Sequence, residues 1–327
     1  MKEGAVTGRP PLYLAFDFGG TKVDIALATE GPHIIDRKTL ETRAELGAVQ
    51  AVERALTAGR ELVQTRGDQT LSAVGVSTMG YTREDGVDLA PNVPGWEVLR
   101  LPDVFRREFP HVPVGLDNDV RAAAIAELKW GALAGISAGL YVNFGTGVAS
   151  TVVIDGVVYP GSHGLAGEVG CWLVKGSKVA PDQTSPRRPD PPSLLEAEVG
   201  GAGVRHRAQA CGLAGGFAEL VRSPDGNAMA LVEDVLLQIA TSVTNMAILL
   251  DPARIVLGGG YTGSGDRLVA VITDSLRRSA PGRPEVVIGR FGSNAGLYGA
   301  MAVAESATLH PDVSITGHPD RGGTPGR

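Results

Sequence analysis

The chain carries one pattern twice, as LAFDFGGT at residues 14–21 and as LYVNFGTG at residues 140–147. In each copy, an apolar run typical of a buried strand leads into a turn of glycine and threonine, and a second strand follows. Glu30-Gly31-Pro32 and Asp155-Gly156 then predict turns that lead to a third strand in each copy. The repetition predicts an α/β fold built from two related halves, and a cleft between such halves is a natural ligand site.

Helices are predicted around these strands. Residues 52–63 have the apolar spacing of an amphipathic helix, residues 231–250 that of a long apolar helix, and residues 292–304 favour a last helix of small residues. We expect a small α/β domain over residues 1–118, completed by a C-terminal helix near residues 293–307, and a larger α/β domain over residues 119–292. Residues 175–193 predict an exposed loop, and residues 308–327 predict a disordered tail.

The composition is that of a globular protein, with 43% hydrophobic and 20% charged residues among 327. The net charge of −6 argues against a nucleic acid partner, because phosphate binding needs an excess of positive charge. No run reaches the roughly 18 apolar residues that a membrane helix needs, so no membrane partner is expected. Cys171 and Cys211 give no disulfide framework, which favours the cytoplasm.

A predicted strand-to-helix turn, VGLDNDVR at residues 114–121, carries three polar residues. The apolar run ends there, and an alanine-rich helix is predicted to follow. Asp117, Asn118 and Asp119 therefore lie at the carboxyl end of a strand, where open α/β sheets bind ligands. Two functions stay open for them at this point. They could cap the helix, which Asp and Asn favour, or supply a general base toward a substrate hydroxyl.

The two turns of glycine and threonine are candidate anion sites. Glycine lets backbone N–H groups approach an anion closely, and threonine adds a hydroxyl donor. One such turn is most often only a hairpin, but two at equivalent places in duplicated halves favour phosphate binding. The P-loop pattern is absent from the sequence.

A third glycine cluster, GGGYTG at residues 258–263, fits the dinucleotide pattern G-x-G-x-x-G. Too little chain follows it to complete the doubly wound domain of a dehydrogenase. A glycine-rich turn under the adenine and ribose of ATP explains the same residues.

Seven short motifs occur in the order found in the ROK family, which this chain resembles over residues 12–306. That family contains sugar kinases, bacterial glucokinases among them, and sugar-responsive repressors. The resemblance implies the actin-like ATPase (ribonuclease H-like) fold of hexokinase, with two duplicated α/β domains. The motifs are DFGGTK at residues 17–22, PNVPGW at 91–96, ND at 118–119, GTG at 145–147, GEVG at 167–170, LEA at 195–197 and GGG at 258–260.

The resemblance also implies a role for each matched residue, with ATP and Mg²⁺ as cofactors. Asp119 matches the general base that accepts the proton of the sugar hydroxyl, and Asp17 matches the carboxylate that orients Mg²⁺ through water. Lys22 could assist the phosphates or be a solvated strand residue. The matched sugar positions are Asn92, Gly95, Asn118, Asp119, Glu168, Cys171 and Glu196, and the matched ATP and phosphate positions are Asp17, Gly19, Gly20, Thr21, Lys22, Gly145, Thr146, Gly147, Gly258, Gly259 and Gly260.

The sequence departs from the family at Cys171. Family members usually carry histidine there, followed by a cysteine knot that binds structural zinc, and this chain has neither. We therefore expect no zinc. Because that histidine also touches the sugar, its loss implies a changed acceptor, for instance an amino-hexose such as kanosamine or glucosamine.

The function implied by the resemblance is ATP-dependent phosphorylation of the 6-hydroxyl of a hexose, either glucose or an amino-hexose. We expect a cytoplasmic homodimer whose partners are a small-molecule sugar and ATP. The alternative is a ROK-type sugar-binding transcriptional regulator without enzymatic activity. Such regulators place a winged helix-turn-helix ahead of the first phosphate strand, and here that strand begins at Leu12 in an acidic chain, which favours the kinase.

Overall fold

The structure of the protein, a computed structural model, describes residues 10–83, 86–88, 92–174 and 194–309. The loop predicted over residues 175–193, Pro91 of the PNVPGW motif and the predicted tail from residue 310 onward lie outside the described residues. The described residues form two compact units. The first comprises residues 10–130, 160–164 and 294–309, and the second comprises residues 131–159 and 165–293.

The first unit is a five-stranded sheet with helices. Its elements are β1 (Tyr13–Phe18), β2 (Lys22–Thr29), β3 (His33–Glu41), α1 (Gly47–Gln64), β4 (Ala73–Thr78), β5 (Tyr81–Arg83), β6 (Gly86–Asp88), α2 (Leu101–Glu108), β7 (Val114–Asn118) and α3 (Asp119–Trp130). A C-terminal helix, which we number α9 (Ala295–Leu309), also belongs to this unit.

The second unit has its own five-stranded sheet. Its elements are β8 (Gly139–Phe144), β9 (Val148–Ile154), β10 (Val157–Tyr159), α4 (Leu194–Val199), α5 (Gly201–Ala210), α6 (Phe217–Arg222), α7 (Gly226–Leu250), β11 (Arg254–Gly258), α8 (Gly265–Ser279) and β12 (Glu285–Ile288).

Both sheets have the same topology, which confirms the duplication. The strand orders are β3-β2-β1-β4-β7 and β10-β9-β8-β11-β12. In each sheet three successive strands form an antiparallel meander, and the last two strands run parallel to the first strand of that meander. The predicted Asp155-Gly156 turn joins β9 to β10, with both residues at positive φ, as a two-residue hairpin requires.

Helix α9 lies directly on the sheet of the first unit. A Cβ added to Gly75 of β4 would lie 1.9 Å from the Ala300 carbonyl oxygen, and one added to Gly115 of β7 would lie 2.7 Å from Val303 Cγ1. These two glycines therefore let the helix approach the strands closely. The predicted domain limit at residue 118 stays a prediction, and in the structure the first compact unit continues through α3 to Trp130.

Helix α7 is the central helix of the second unit. It begins at Gly226, earlier than predicted, because Asp225 caps it by accepting hydrogen bonds from the Asn227 and Ala228 amides at 2.8 and 3.1 Å. Its length and mean hydropathy of 1.2 would suffice for a membrane span. However, 61% of the most apolar 18-residue stretch of this helix is buried, and Val235 and Ile239 are fully buried. This burial is typical of the core helix of a folded domain.

Candidate active site

The carboxyl ends of β1, β4 and β7 bring the polar residues of the first unit together. These strands are parallel neighbours, with Asp17 opposite Ser77 and Ser77 opposite Asp117. One residue further along, Thr78 lies opposite Asn118. This edge is where an α/β sheet binds ligands.

Helix capping and the predicted base occupy neighbouring residues at this edge. Asp117 and Asn118 are the last residues of β7 rather than part of a separate turn, and Asp119 is the first residue of α3. The Oδ1 atom of Asn118 accepts a hydrogen bond of 2.7 Å from the Arg121 amide, which is the geometry of a helix cap. Asn118 therefore fills the capping role and leaves the Asp119 carboxylate available for another.

The Asp119 side chain is exposed, and its Oδ1 atom accepts a hydrogen bond of 2.9 Å from the Val120 amide. The surrounding protein desolvates the carboxyl and raises its pKa to about 6, against the opposing effect of that amide. Water still reaches this exposed carboxylate and limits the desolvation. A carboxyl whose pKa is raised no further than about 6 is ionised at neutral pH and can accept a proton.

Asp17 is the more strongly perturbed carboxyl. The Ser77 hydroxyl donates a hydrogen bond of 2.9 Å to its Oδ1 atom. Burial nevertheless raises the pKa of Asp17 to about 7, and the negative charges of Asp119 and Asp24 contribute to the rise. A Cβ added to Gly296, near the start of α9, would lie 2.5 Å from both Asp17 carboxylate oxygens, so only glycine fits there.

The first glycine turn, residues 19–21, is held by Lys22 of β2 and by Thr42, which directly follows β3. The Gly19 amide donates to the Lys22 carbonyl at 3.0 Å, and Thr42 binds the turn twice, through its amide to the Thr21 carbonyl at 2.9 Å and through its hydroxyl to the Gly19 carbonyl at 2.7 Å. The Lys22 ammonium pairs with Asp24 at 2.7 Å, so this ion pair competes with its predicted role toward the phosphates.

The loop that carries Asn92 and Gly95 lies beside this turn. Trp96 anchors this loop, since it is 1% exposed and its indole N–H donates to the Thr78 hydroxyl at 3.0 Å. A Cβ added to Gly20 would lie 3.5 Å from Asn92 Cβ, which places Asn92 against the turn. Gly95 has a φ of 82°, the left-handed conformation that favours glycine.

The second glycine turn, residues 145–147, rests on α4 and α5. The Gly201 and Ala202 amides donate to the Gly145 and Thr146 carbonyls at 2.9 and 3.2 Å. The Glu196 carboxylate accepts a hydrogen bond of 2.8 Å from the Val148 amide, directly after the turn. Glu196, predicted to bind sugar, thus already has one oxygen engaged in holding this turn.

The cluster Gly258-Gly259-Gly260 lies beside that turn, because β11 runs parallel to β8 with Gly258 opposite Asn143. Gly259 has a φ of 84°, and a Cβ there would lie 2.3 Å from the Phe144 carbonyl oxygen. This sheet contains antiparallel strands at one side, unlike the parallel sheet of a dinucleotide-binding domain. The two glycine segments of the second unit are therefore adjacent, and the dehydrogenase alternative is unsupported.

Glu168 and Cys171 lie on a short segment that is docked on β9. A Cβ on Gly167 would lie 2.0 Å from the Ser150 carbonyl oxygen, and one on Gly170 would lie 2.5 Å from the Val148 carbonyl oxygen. Both glycines are thus needed for the segment to approach β9. Cys171 is partly buried, and its amide donates to the Glu168 carbonyl at 3.2 Å.

The described residues contain no group of three or more His, Cys, Asp or Glu side chains placed to hold a metal ion. The absence of zinc stays a prediction. Mg²⁺ fits this part of the chain for an electrostatic reason. The negative charges of Asp17 and Asp119 repel each other, and a divalent cation would relieve that repulsion.

Several residues that shape the site were not singled out from the sequence. Ser77 and Gly296 contact Asp17 from distant parts of the chain, and only the register of the sheet and the packing of α9 bring them there. The glycine-rich run at residues 200–203 is a signal that could have been noticed. It lets α5 begin against the second turn, where a Cβ on Gly201 would lie 2.8 Å from the Gly145 carbonyl oxygen.

Known proteins resemble this chain over most of its length. The glucokinase of Halalkalibacterium halodurans is 26% identical and the N-acetylmannosamine kinase of Vibrio cholerae is 28% identical, over 88% and 84% of this chain and 93% and 90% of the relatives. The crystal structure of a ROK family glucokinase from Streptomyces griseus in complex with glucose and AMPPNP has a TM-score of 0.69 at 25% identity, covering 90% of this chain and 99% of that one.

The structural likeness confirms the predicted fold class, two duplicated actin-like ATPase (ribonuclease H-like) domains. The family model described as ROK family matches residues 13–307, which is nearly all of the described chain. The chain therefore belongs to the ROK family.

Proposed function

We propose that the protein is an ATP-dependent sugar kinase that phosphorylates the 6-hydroxyl of a hexose, either glucose or an amino-hexose such as glucosamine or kanosamine. The observation that carries the proposal is the Asp119 carboxylate, which lies at the carboxyl edge of a sheet beside the helix-capping Asn118. The kinase names of relatives that cover most of the chain support the same reaction class.

In the proposed reaction, one Asp119 carboxylate oxygen accepts the proton of the sugar 6-hydroxyl. The sugar oxygen then forms a bond to the γ-phosphorus of ATP, the bond from that phosphorus to the β,γ-bridging oxygen breaks, and ADP leaves. Such a transfer depends mainly on positioning and on neutralising charge. A carboxylate whose pKa lies near or below 6 suits this base, because it is ionised at neutral pH and still basic enough to hold a proton transiently.

The glycine turns supply the proposed binding of ATP. We assign residues 19–21 and 145–147 to the phosphates, and residues 258–260 to the adenine and ribose. The Asp17 carboxylate would hold Mg²⁺ through water, and that ion would supply charge neutralisation on the phosphates. A nearby cation would also favour the ionised form of Asp17 despite its burial.

We assign the sugar to the residues that match the family's sugar positions, which are Asn92, Gly95, Asn118, Asp119, Glu168, Cys171 and Glu196. The thiol of Cys171 is shorter and less polar than the histidine that family members usually carry at this position. We propose that this difference lets the site accept a sugar other than glucose. We further propose a cytoplasmic homodimer.

A regulator without catalytic activity is the alternative function. The proposed catalytic pair Asp17 and Asp119 disfavours it, because two carboxylates with raised pKa values in one unit are costly to retain without a chemical role. The pair is typical of a catalytic site.

Release of ADP over a panel of hexoses, amino-hexoses and N-acetyl sugars tests the proposal. We expect turnover with at least one hexose or amino-hexose, and a product whose phosphate NMR spectrum places the phosphate on the 6-oxygen. Polyphosphate in place of ATP is the donor control, and Asp119→Asn is the enzyme control. Tight sugar binding without phosphoryl transfer from either donor would favour the regulator.

A further inference from the structure

Arg121 is a buried arginine two residues after the proposed base, and its guanidinium is hydrogen-bonded in three directions. Only 2% of the residue is exposed. Its Nε atom donates to Asp117 Oδ1 at 2.6 Å, its Nη1 atom to the Gly164 carbonyl oxygen at 2.8 Å, and its Nη2 atom to Thr82 Oγ1 at 2.5 Å.

These three partners come from separate segments of the first unit. Asp117 lies near the end of β7, and Thr82 lies in β5. Gly164 lies in residues 160–164, which belong to the first unit although the residues before and after them belong to the second. The planar fork of arginine can satisfy three acceptors at fixed angles, whereas a lysine ammonium on a flexible stem cannot reproduce that geometry. One side chain thus joins three segments at a single point.

Arg121 also holds Asn118 in place, directly through its backbone and indirectly through Asp117. Its backbone amide donates to Asn118 Oδ1 at 2.7 Å. The Asp117 oxygen that accepts from Arg121 also accepts from the Asn118 amide at 2.8 Å. The backbone and the side chain of Asn118 are therefore both tied to the Arg121 and Asp117 pair, and Asp119 follows directly.

We propose that Arg121 is a positioning residue for Asn118 and Asp119, and that Thr82 and Gly164 hold it in place. The inference rests on the proposed role of Asp119 as the base. Reaction rates depend steeply on the placement of the catalytic group, and a displacement of about 1 Å can lower turnover roughly 100-fold. A buried ion pair is by itself weak evidence for stability, so a gain in positioning is the better reason for this one.

Arg121→Lys tests the inference, with Arg254→Lys as a matched control. Arg254 is less buried than Arg121 but likewise binds a carboxylate and a carbonyl, those of Glu285 and Ala132, and it lies at the amino end of β11, away from Gly258. We expect Arg121→Lys to lower kcat roughly 10- to 100-fold, with the KM for ATP changed by less than about twofold. The control should keep kcat. Unchanged kcat per folded molecule in Arg121→Lys would overturn the proposal.

The pair Thr82→Val and Thr82→Ser gives a second test that does not require replacing the buried charge. Valine keeps the volume and removes the hydroxyl that accepts from Arg121, whereas serine keeps the hydroxyl. We expect valine to lower kcat at least about threefold and serine to change it by less than about twofold. Equal kcat in the two variants would contradict a role for this hydrogen bond.

Amide hydrogen exchange separates a failure of this inference from a failure of the proposed function. Thr82→Val and Arg121→Lys should both speed exchange in residues 117–121 and in residues 160–164, whatever reaction the protein catalyses. Unchanged exchange in these segments would overturn the positioning role. If the wild-type protein phosphorylates no sugar but exchange is faster in the variants, the proposed role of Asp119 as a kinase base fails. The role of Arg121 in holding Asn118 and Asp119 in place would then still stand.

Discussion

The Ser77 hydroxyl donates a hydrogen bond of 2.9 Å to the Asp17 carboxylate, and this bond joins two parallel strands at their carboxyl ends. The bond lowers the pKa of Asp17, but burial outweighs it and leaves that pKa raised to about 7. Gly296 adds to the burial by placing backbone against the carboxylate. The ionised form of Asp17 is therefore disfavoured by the fold that surrounds it.

The first prediction concerns stability and pH. A carboxyl whose pKa is higher in the folded protein stabilises it fully below the unfolded pKa, and this contribution is lost as pH rises through the folded pKa. With values of 3.8 and about 7, the free energy of unfolding should fall across that interval. Asp17→Asn removes the effect, so the melting temperature of the variant relative to that of the wild type should rise by several degrees between pH 5 and pH 8. Exposed Asp68→Asn is the control, and an equal difference at both pH values would refute the assignment.

The second prediction concerns Asp119 as the base. Asp119→Asn should lower kcat by ~10²–10⁴ while sugar binding survives. In the wild type, kcat/KM should fall as pH drops through the Asp119 pKa, at or below about 6, because protonation removes the base. Raising the Mg²⁺ concentration should shift an inflection that comes from Asp17 more than it shifts this one. Wild-type turnover in Asp119→Asn would rule out the assignment.

The sequence predicted those parts of the fold and site that depend on local pattern. The repeated turns at residues 19–21 and 145–147 were visible as repeated letters, and the capping of α3 followed from residues 117–119 being Asp and Asn. The contacts of Asp17 with Ser77 and Gly296 could not be read this way. They depend on strand register and on the packing of a helix from the other end of the chain, which no local spacing encodes.

The third prediction compares two neighbouring glycines. Gly259 has a φ of 84°, and a Cβ there would lie 2.3 Å from a backbone oxygen, whereas a Cβ on Gly260 would meet nothing within 4 Å. Gly259→Ala should therefore lower the melting temperature by several degrees and weaken ATP binding, since the strained turn must move. Gly260→Ala should keep the wild-type melting temperature. Thermal unfolding and an ATP titration of both variants check this, and equal melting temperatures would count against it.

The fourth prediction is that the purified protein contains no stoichiometric zinc. Structural zinc takes four Cys or His ligands, and the described residues hold no group of three or more side chains placed to bind a metal ion. Elemental analysis after dialysis against a metal-free buffer measures the content. Cys171→Ser should leave both the metal content and the melting temperature unchanged within error. One zinc per chain in the wild type, lost in Cys171→Ser, would show a metal site at Cys171.

The last prediction separates the two glutamates that are assigned to the sugar. The Glu196 carboxylate accepts from the Val148 amide directly after the second glycine turn, so Glu196→Gln should weaken the binding of both sugar and ATP. Glu168 lies instead on the segment docked on β9 by Gly167 and Gly170. Glu168→Gln removes a charge-assisted hydrogen bond to the sugar and should weaken sugar binding about 10-fold, with ATP affinity nearly unchanged. Calorimetric titration of each variant with each ligand checks this, and equal losses for the two ligands in Glu168→Gln would make that residue structural.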